Sequence, residues 1–274
     1  MANPLMNRAL NEGVKDRQTP SADHLNSMYM APSADNRNAG PGQPVQPQAP
    51  AAERPMQYND VFMKSLASFG ILLVGAVVGW VMPALALPAV LIGLVLGLIN
   101  SFKREPVPFL ILAYAAVEGV FLGGISKIFE TSYDGIVMQA VLATLSVFAV
   151  MFALFKFKVI RFGAKGMKFL MLAVGGYAVF SLINFFYVLF TGNGGARNVQ
   201  IELFGMTFPL GVIIGIVAVV LASLTLVTDF QAIEAGVQNR IPERYSWTMA
   251  FSLMVSLIWL YVEILRLLSY FRQD

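Results

Sequence analysis

Seven long apolar stretches fill the chain beyond its first sixty residues. They run over Ser65–Met82, Ala84–Phe102, Pro108–Phe129, Ile136–Phe155, Phe169–Phe190, Pro209–Thr228 and Trp247–Leu268. Each is close to the ~20 residues a helix needs to cross ~30 Å of hydrocarbon. Alternation with period two is missing, which argues against a membrane barrel. Charged residues make up only 13% of the chain, against roughly 25% in soluble domains. The expected fold is therefore an all-α polytopic membrane protein, a bundle of seven transmembrane helices over residues 59–274, with the lipid bilayer as its first partner.

Residues 1–58 read differently. Pro32 to Pro55 is rich in Pro, Gly, Gln and Ala and nearly lacks large apolar side chains. Such a segment cannot bury enough surface to offset its ordering entropy, so a disordered cytoplasmic tail is expected. Asn3 to Leu10 could form a short helix, and a docking site for a membrane protease is the alternative use of the tail. No signal peptide is expected, because no apolar core follows the first basic residue.

Composition also narrows the chemistry. Cysteine is absent and the one histidine, His24, lies in the tail. Thiolate, iron–sulfur and histidine chemistry within the spans is thereby excluded. No nucleophile–base pair is visible, so an intramembrane enzyme ranks last, and no cofactor is expected. The formal net charge of +3 is too small and scattered for a nucleic-acid partner.

The basic residues instead report orientation. The loop after the fourth span holds Lys156, Lys158, Arg161, Lys165 and Lys168 without an acid, and the loop after the second holds Lys103 and Arg104. Cytoplasmic loops carry such an excess. The expected topology is a multi-pass protein of a bacterial inner membrane with a cytoplasmic N-terminus. Arg266 and Arg272 oppose an outer C-terminus, so a last segment that enters without fully crossing is the alternative. Gly75 and Gly79, Gly93 and Gly97, and Gly211 and Gly215 have the small-xxx-small spacing of closely approaching helices.

Three acids fall in or beside the spans: Glu118, Asp229 and Glu263. An ionisable group at mid-bilayer is costly, which makes each a functional candidate. Glu118, with no neutralising neighbour in sequence, is expected to be neutral or paired, as a hydrogen-bonding carboxyl or as part of an ion or proton path. Phe230, Ile233, Val237 and Ile241 continue a helical face to Pro242, which puts Asp229 about three turns inside a longer sixth helix. Arg266 follows Glu263 by three residues and shares its helix face, so an intrahelical ion pair is one reading. The other rests on a reversal of the chain near Ser246, midway between the two acids. Asp229 and Glu263 would then face each other and share a proton. On deprotonation, two charges ~4 Å apart would repel by about 4 kcal/mol at an effective dielectric near 20.

Val227-Thr228-Asp229-Phe230-Gln231-Ala232-Ile233, the Leu260–Leu268 segment around Glu263, and Glu118-Gly119-Val120-Phe121 together resemble the Bax inhibitor-1 family, in a bacterial branch. The resemblance spans roughly Tyr58 to Phe271. It implies a bundle with the C-terminal helix near its centre and a pH-sensitive calcium leak controlled by two acids on the sixth and seventh helices. Asp229 matches the first acid. Glu263 stands where the common pattern has Asp, and Arg266 where many members have Asn. By that resemblance, Asp229, Glu263 and Arg266 are the candidate pH sensor and gate. Calcium is the favoured ion, since it prefers carboxylate and carbonyl oxygens. A non-conducting regulator of a membrane protease or assembly, and a proton-coupled exporter, are the competing functions.

Overall fold

The structure, a computed structural model, describes residues 54–192, 195–203 and 206–272. The expectations for the tail up to residue 53 lie outside the described residues. Seven helices follow in chain order: α1 (Tyr58–Val81), α2 (Ala86–Phe102), α3 (Pro108–Ser132), α4 (Ile136–Lys156), α5 (Ala164–Thr191), α6 (Leu210–Gln238) and α7 (Ser246–Tyr270). All seven spans are long and apolar enough to cross a membrane. The chain is thus an all-α, seven-helix, multi-pass membrane protein. At 1.5 Å per residue α7 measures about 37 Å, enough for a full crossing by length. Between α5 and α6 a short antiparallel hairpin pairs β1 (Gln200–Leu203) with β2 (Met206–Pro209).

Local chemistry sets the helix ends. Asp60 accepts the Gln57 amide at 2.8 Å and caps α1. Pro108 opens α3, where its missing N–H costs nothing. Gly192, at φ +69°, closes α5 in the left-handed region. Glu130 reaches past the α3–α4 turn and accepts the Gly135 and Val137 amides at 2.7 and 2.9 Å. The first amides of α4 would otherwise lack partners.

Glycine sets the closest helix contact. A Cβ at Gly75 or Gly79 would collide with the Ala116 or Val120 carbonyl of α3, and one at Gly119 or Gly123 with the Leu72 or Ala76 carbonyl of α1. The contacts advance together along both helices, so α1 and α3 run parallel with their backbones in van der Waals contact. Gly93 and Gly97 face Glu118 and Tyr114, and Gly211 and Gly215 face Tyr270 and Leu267. All three glycine pairs singled out in the sequence are packing sites. Gly119 and Gly123 are the reciprocal half of the first.

α7 occupies the middle of the bundle, packed against α1, α3, α4 and α6. Leu226 and Val227 of α6 and Leu260 and Leu265 of α7 are fully buried there. Phe230 is enclosed by Phe148, Phe152 and Phe155 of α4 at ring distances of 5.4–5.7 Å. α5 is peripheral and shows most of its apolar surface to the outside.

The chain enters the bundle under the α6–α7 turn. Met56 donates its amide to Ile241 O at 2.8 Å, and Glu243 donates to Arg54 O at 3.0 Å. The Met56 side chain is buried among Ile233, Ile241, Tyr245 and Met249. Arg54 pairs with Asp60 and Glu243 at 2.7 and 2.9 Å, and Lys64 with Glu243 at 3.1 Å. The residues just before Tyr58, assigned to the tail from composition, are therefore fastened to the helical body. One large apolar side chain, Met56, supplies what the preceding Pro- and Ala-rich stretch lacks.

Candidate functional site

Asp229 lies on α6 nine residues before its end and is fully buried, at 0% exposure. Its Oδ1 accepts a hydrogen bond from the Ser252 hydroxyl of α7 at 3.0 Å. The helix does continue past Thr228, and Asp229 stands about two and a half turns inside it.

Ser252 also faces the other way. With Ser256 it lines an open cavity of about 300 Å³ between α2, α3 and α7, whose walls include Gly93, Gly97, Tyr114 and Glu118. Glu118 is 8% exposed, and no Lys or Arg pairs with it among the described residues. A Cβ at Gly93 would stand 2.5 Å from Glu118 Oε2, so this glycine makes room for the carboxyl. One serine thus touches Asp229 and shares a cavity with Glu118.

Glu263 belongs to a different cluster. Tyr177 of α5 donates its hydroxyl to Oε1 at 2.5 Å, Arg197 donates Nη1 to Oε2 at 3.3 Å, and Arg266 donates Nη1 to Oε1 at 2.9 Å. Arg197 sits in the turn ahead of the β-hairpin, yet its side chain is buried. It also donates to Tyr177 Oη at 2.5 Å and Ser181 Oγ at 3.3 Å, and lies over the Tyr177 and Phe180 rings. Burial alone would lower the affinity of Arg197 for its proton. The charge of Glu263 and the hydrogen bonds that Arg197 gives to Glu263 and the Tyr177 oxygen more than offset that, and the net shift is upward. The cluster fastens the peripheral α5 and the hairpin turn to the central helix.

The facing pair expected from the sequence does not form. Ser252, the partner of Asp229, precedes Glu263 by eleven residues on one helix, about 16 Å along its axis. Asp229 and Glu263 therefore occupy different levels with separate partners. The physical reason is where the chain reverses. Arg240 takes a left-handed φ of +50°, Pro242 follows, and the turn is centred near Arg240–Ile241 rather than near Ser246. Moving a hairpin's turn by five residues moves the facing register by about ten. The intrahelical Glu263–Arg266 pair, the other reading of that segment, is present at 2.9 Å.

Sequence reasoning missed Ser252, Tyr177 and Arg197. Ser252 and Ser256, four residues apart on an apolar helix, were a readable signal for a polar inner face. Arg197 offered none: a loop arginine beside glycines carries no mark of its depth. Among the described residues no group of three or more His, Cys, Asp or Glu side chains could hold a metal ion.

No curated protein matches the chain. A family profile described as Bax inhibitor 1 like matches residues 3–273, essentially the whole sequence. With seven membrane-length helices and that match, the chain belongs to the Bax inhibitor 1 like family.

Proposed function

We propose that the protein is a pH-sensitive cation leak, with calcium the favoured ion, and that Asp229 is its titrating group. The observation that carries this reading is the position of Ser252, hydrogen-bonded to Asp229 on one side and lining the cavity of Glu118 on the other. A cation in that cavity meets one carboxyl at Glu118, serine hydroxyls, and a second carboxyl behind them. Such oxygen ligands suit calcium. Protonation of Asp229 removes the attracting charge, so flux falls as pH falls.

Glu263 and Arg266 act elsewhere in this scheme. With Arg197 they place two guanidinium groups against one carboxylate near the hairpin end of the bundle. A cation moving toward that end is repelled until Arg197 withdraws, so the cluster closes the path. The basic α4–α5 loop lies on the same side as the α6–α7 turn, since Arg161 pairs with Glu234 at 3.0 Å. The excess of Lys and Arg makes that side cytoplasmic, with the hairpin outside a bacterial inner membrane.

Calcium flux from liposomes reconstituted with purified protein, followed from pH 5 to 8, tests the reading. Flux that rises with pH, and a response flattened by Asp229→Asn, supports it. A folded wild-type protein that passes no cation at any pH overturns it and leaves the non-conducting regulator.

A further inference from the structure

A second cavity, of about 490 Å³, opens between α1, α3, α4 and α7. It follows α1 from Phe69 to Trp80. That is eleven residues, or about 16 Å at 1.5 Å per residue. Half of a ~30 Å hydrocarbon core is nearly the same length. Phe69 stands mid-way along α1 and Trp80 next to its end, so the groove has the length of one leaflet and runs from the middle of the helix to its end. Its rim is open to lipid: Leu73, Val77 and Leu145 are among the exposed large apolar residues.

The lining asks for no hydrogen bond. Ser126 Oγ and Tyr261 Oη share one at 2.6 Å, and Thr144 donates to Ala140 O at 2.7 Å. Apart from the indole N–H of Trp80 at the mouth, the remaining walls are aliphatic and aromatic, so hydrocarbon fits along the rest without stranding a polar group. The mouth differs. Lys127 holds its ammonium 5.2 Å from the Trp80 ring centroid. Glu130, one turn on, has both carboxylate oxygens on the Gly135 and Val137 amides, and among the described residues no carboxylate forms an ion pair with Lys127. A Trp–Lys pair at headgroup depth is the arrangement that anchors a protein to phosphate-bearing lipid.

We propose that this groove is a binding site for one anionic phospholipid, its acyl chain lying along α1 and its phosphate at Lys127. The site uses neither Glu118 nor Asp229 and stands whether or not ions are conducted.

Native mass spectrometry tests it on protein purified from bilayers of equal phosphatidylglycerol and phosphatidylcholine. Wild type should retain one phospholipid, with phosphatidylglycerol favoured several-fold. Val141→Trp, from a partly exposed wall position, should fill the groove and cut retention about tenfold. Leu145→Trp, on the open rim, serves if the first variant does not fold. Lys127→Gln should keep a lipid but lose the preference for phosphatidylglycerol. Equal retention by wild type and a folded groove-filling variant overturns the site. Equal retention of the two lipids by wild type overturns the role of Lys127, and with it the anionic ligand.

Discussion

The Ser252 hydroxyl meets the Asp229 carboxylate at 3.0 Å across the α6–α7 interface, at a level some three helical turns from Glu263. Asp229 and Glu263 can thus be perturbed separately, and each should respond in its own way.

Removal of the serine hydroxyl is the mildest test. Ser252→Ala should cost about 0.5–1.5 kcal/mol of stability, the usual net contribution of a hydrogen bond within a protein. It should also lower cation flux at neutral pH. Thermal unfolding in detergent and liposome flux measure the two effects. A variant with unchanged flux would remove Ser252 from the path.

The pH response should depend on Asp229 and not on Glu263. Wild-type flux should rise as the pH is raised, because only the charged form of a carboxyl attracts a cation. Asp229→Asn should flatten that rise. Glu263→Gln should leave its slope intact while changing the amplitude. If Glu263→Gln flattens the profile as fully as Asp229→Asn, the two acids act as one unit despite their separation.

The Arg197 cluster should show strong non-additivity. Glu263→Gln leaves two guanidinium groups without their carboxylate, and Arg197→Met removes one of them. Breaking one partner of a buried ion pair costs about 3–5 kcal/mol. Arg197→Met should approach the lower end of that range, because Arg266 and Tyr177 still hold Glu263, and Glu263→Gln the upper end, because both guanidinium groups lose their carboxylate. The double variant should be more stable than the sum of the singles by more than 1 kcal/mol. Unfolding midpoints of the four proteins decide the matter, and simple additivity would mean that Arg197 and Glu263 are uncoupled.

Two glycines on one helix make a controlled pair. A Cβ at Gly70 meets nothing within 4 Å, whereas one at Gly75 runs into the Ala116 carbonyl. Gly70→Ala should be neutral or slightly stabilising. Gly75→Ala should destabilise by about 1–3 kcal/mol, the range for overpacking. Comparable unfolding of the two variants would show that α1 and α3 can separate without cost.

Topology is open to labelling because the chain has no cysteine. Lys158→Cys and Val199→Cys lie in the α4–α5 loop and beside the hairpin, both exposed. An impermeant thiol reagent should reach the first only from the cytoplasmic side and the second only from outside. Labelling of both from one side contradicts the seven-span arrangement.

The spans were legible because length and hydropathy alone decide whether a helix crosses a bilayer. Their limits match the observed helices within a few residues, except where α1, α5 and α6 extend beyond them. Phe230, Ile233 and Val237 carried α6 beyond its most apolar stretch, and that extension was readable from their spacing, although the helix ends at Gln238 and Ile241, expected on the same face, lies in the turn. The site was harder. Glu118, Asp229 and Glu263 announced themselves as acids among apolar neighbours, and all three are buried. Their partners did not, because register between two helices depends on where the chain turns. That turn hangs on the backbone of Arg240, a residue type that gives little warning of a positive φ. Arg197 reaches Glu263 only through tertiary packing of a loop.

The fastening of Arg54 and Met56 beneath the α6–α7 turn has a mechanical consequence. A load applied to the chain ahead of Arg54 is delivered first to Ile241 and Glu243, through the two backbone hydrogen bonds and the side-chain pairs that join them. Asp229 and Ser252 stand on the two arms of that same turn, each within three helical turns of it. A slip of one residue between the arms displaces one against the other by about 1.5 Å. Their 3.0 Å contact has no room for such a slip, so the Asp229–Ser252 hydrogen bond exists only in the register that this fastened turn sets.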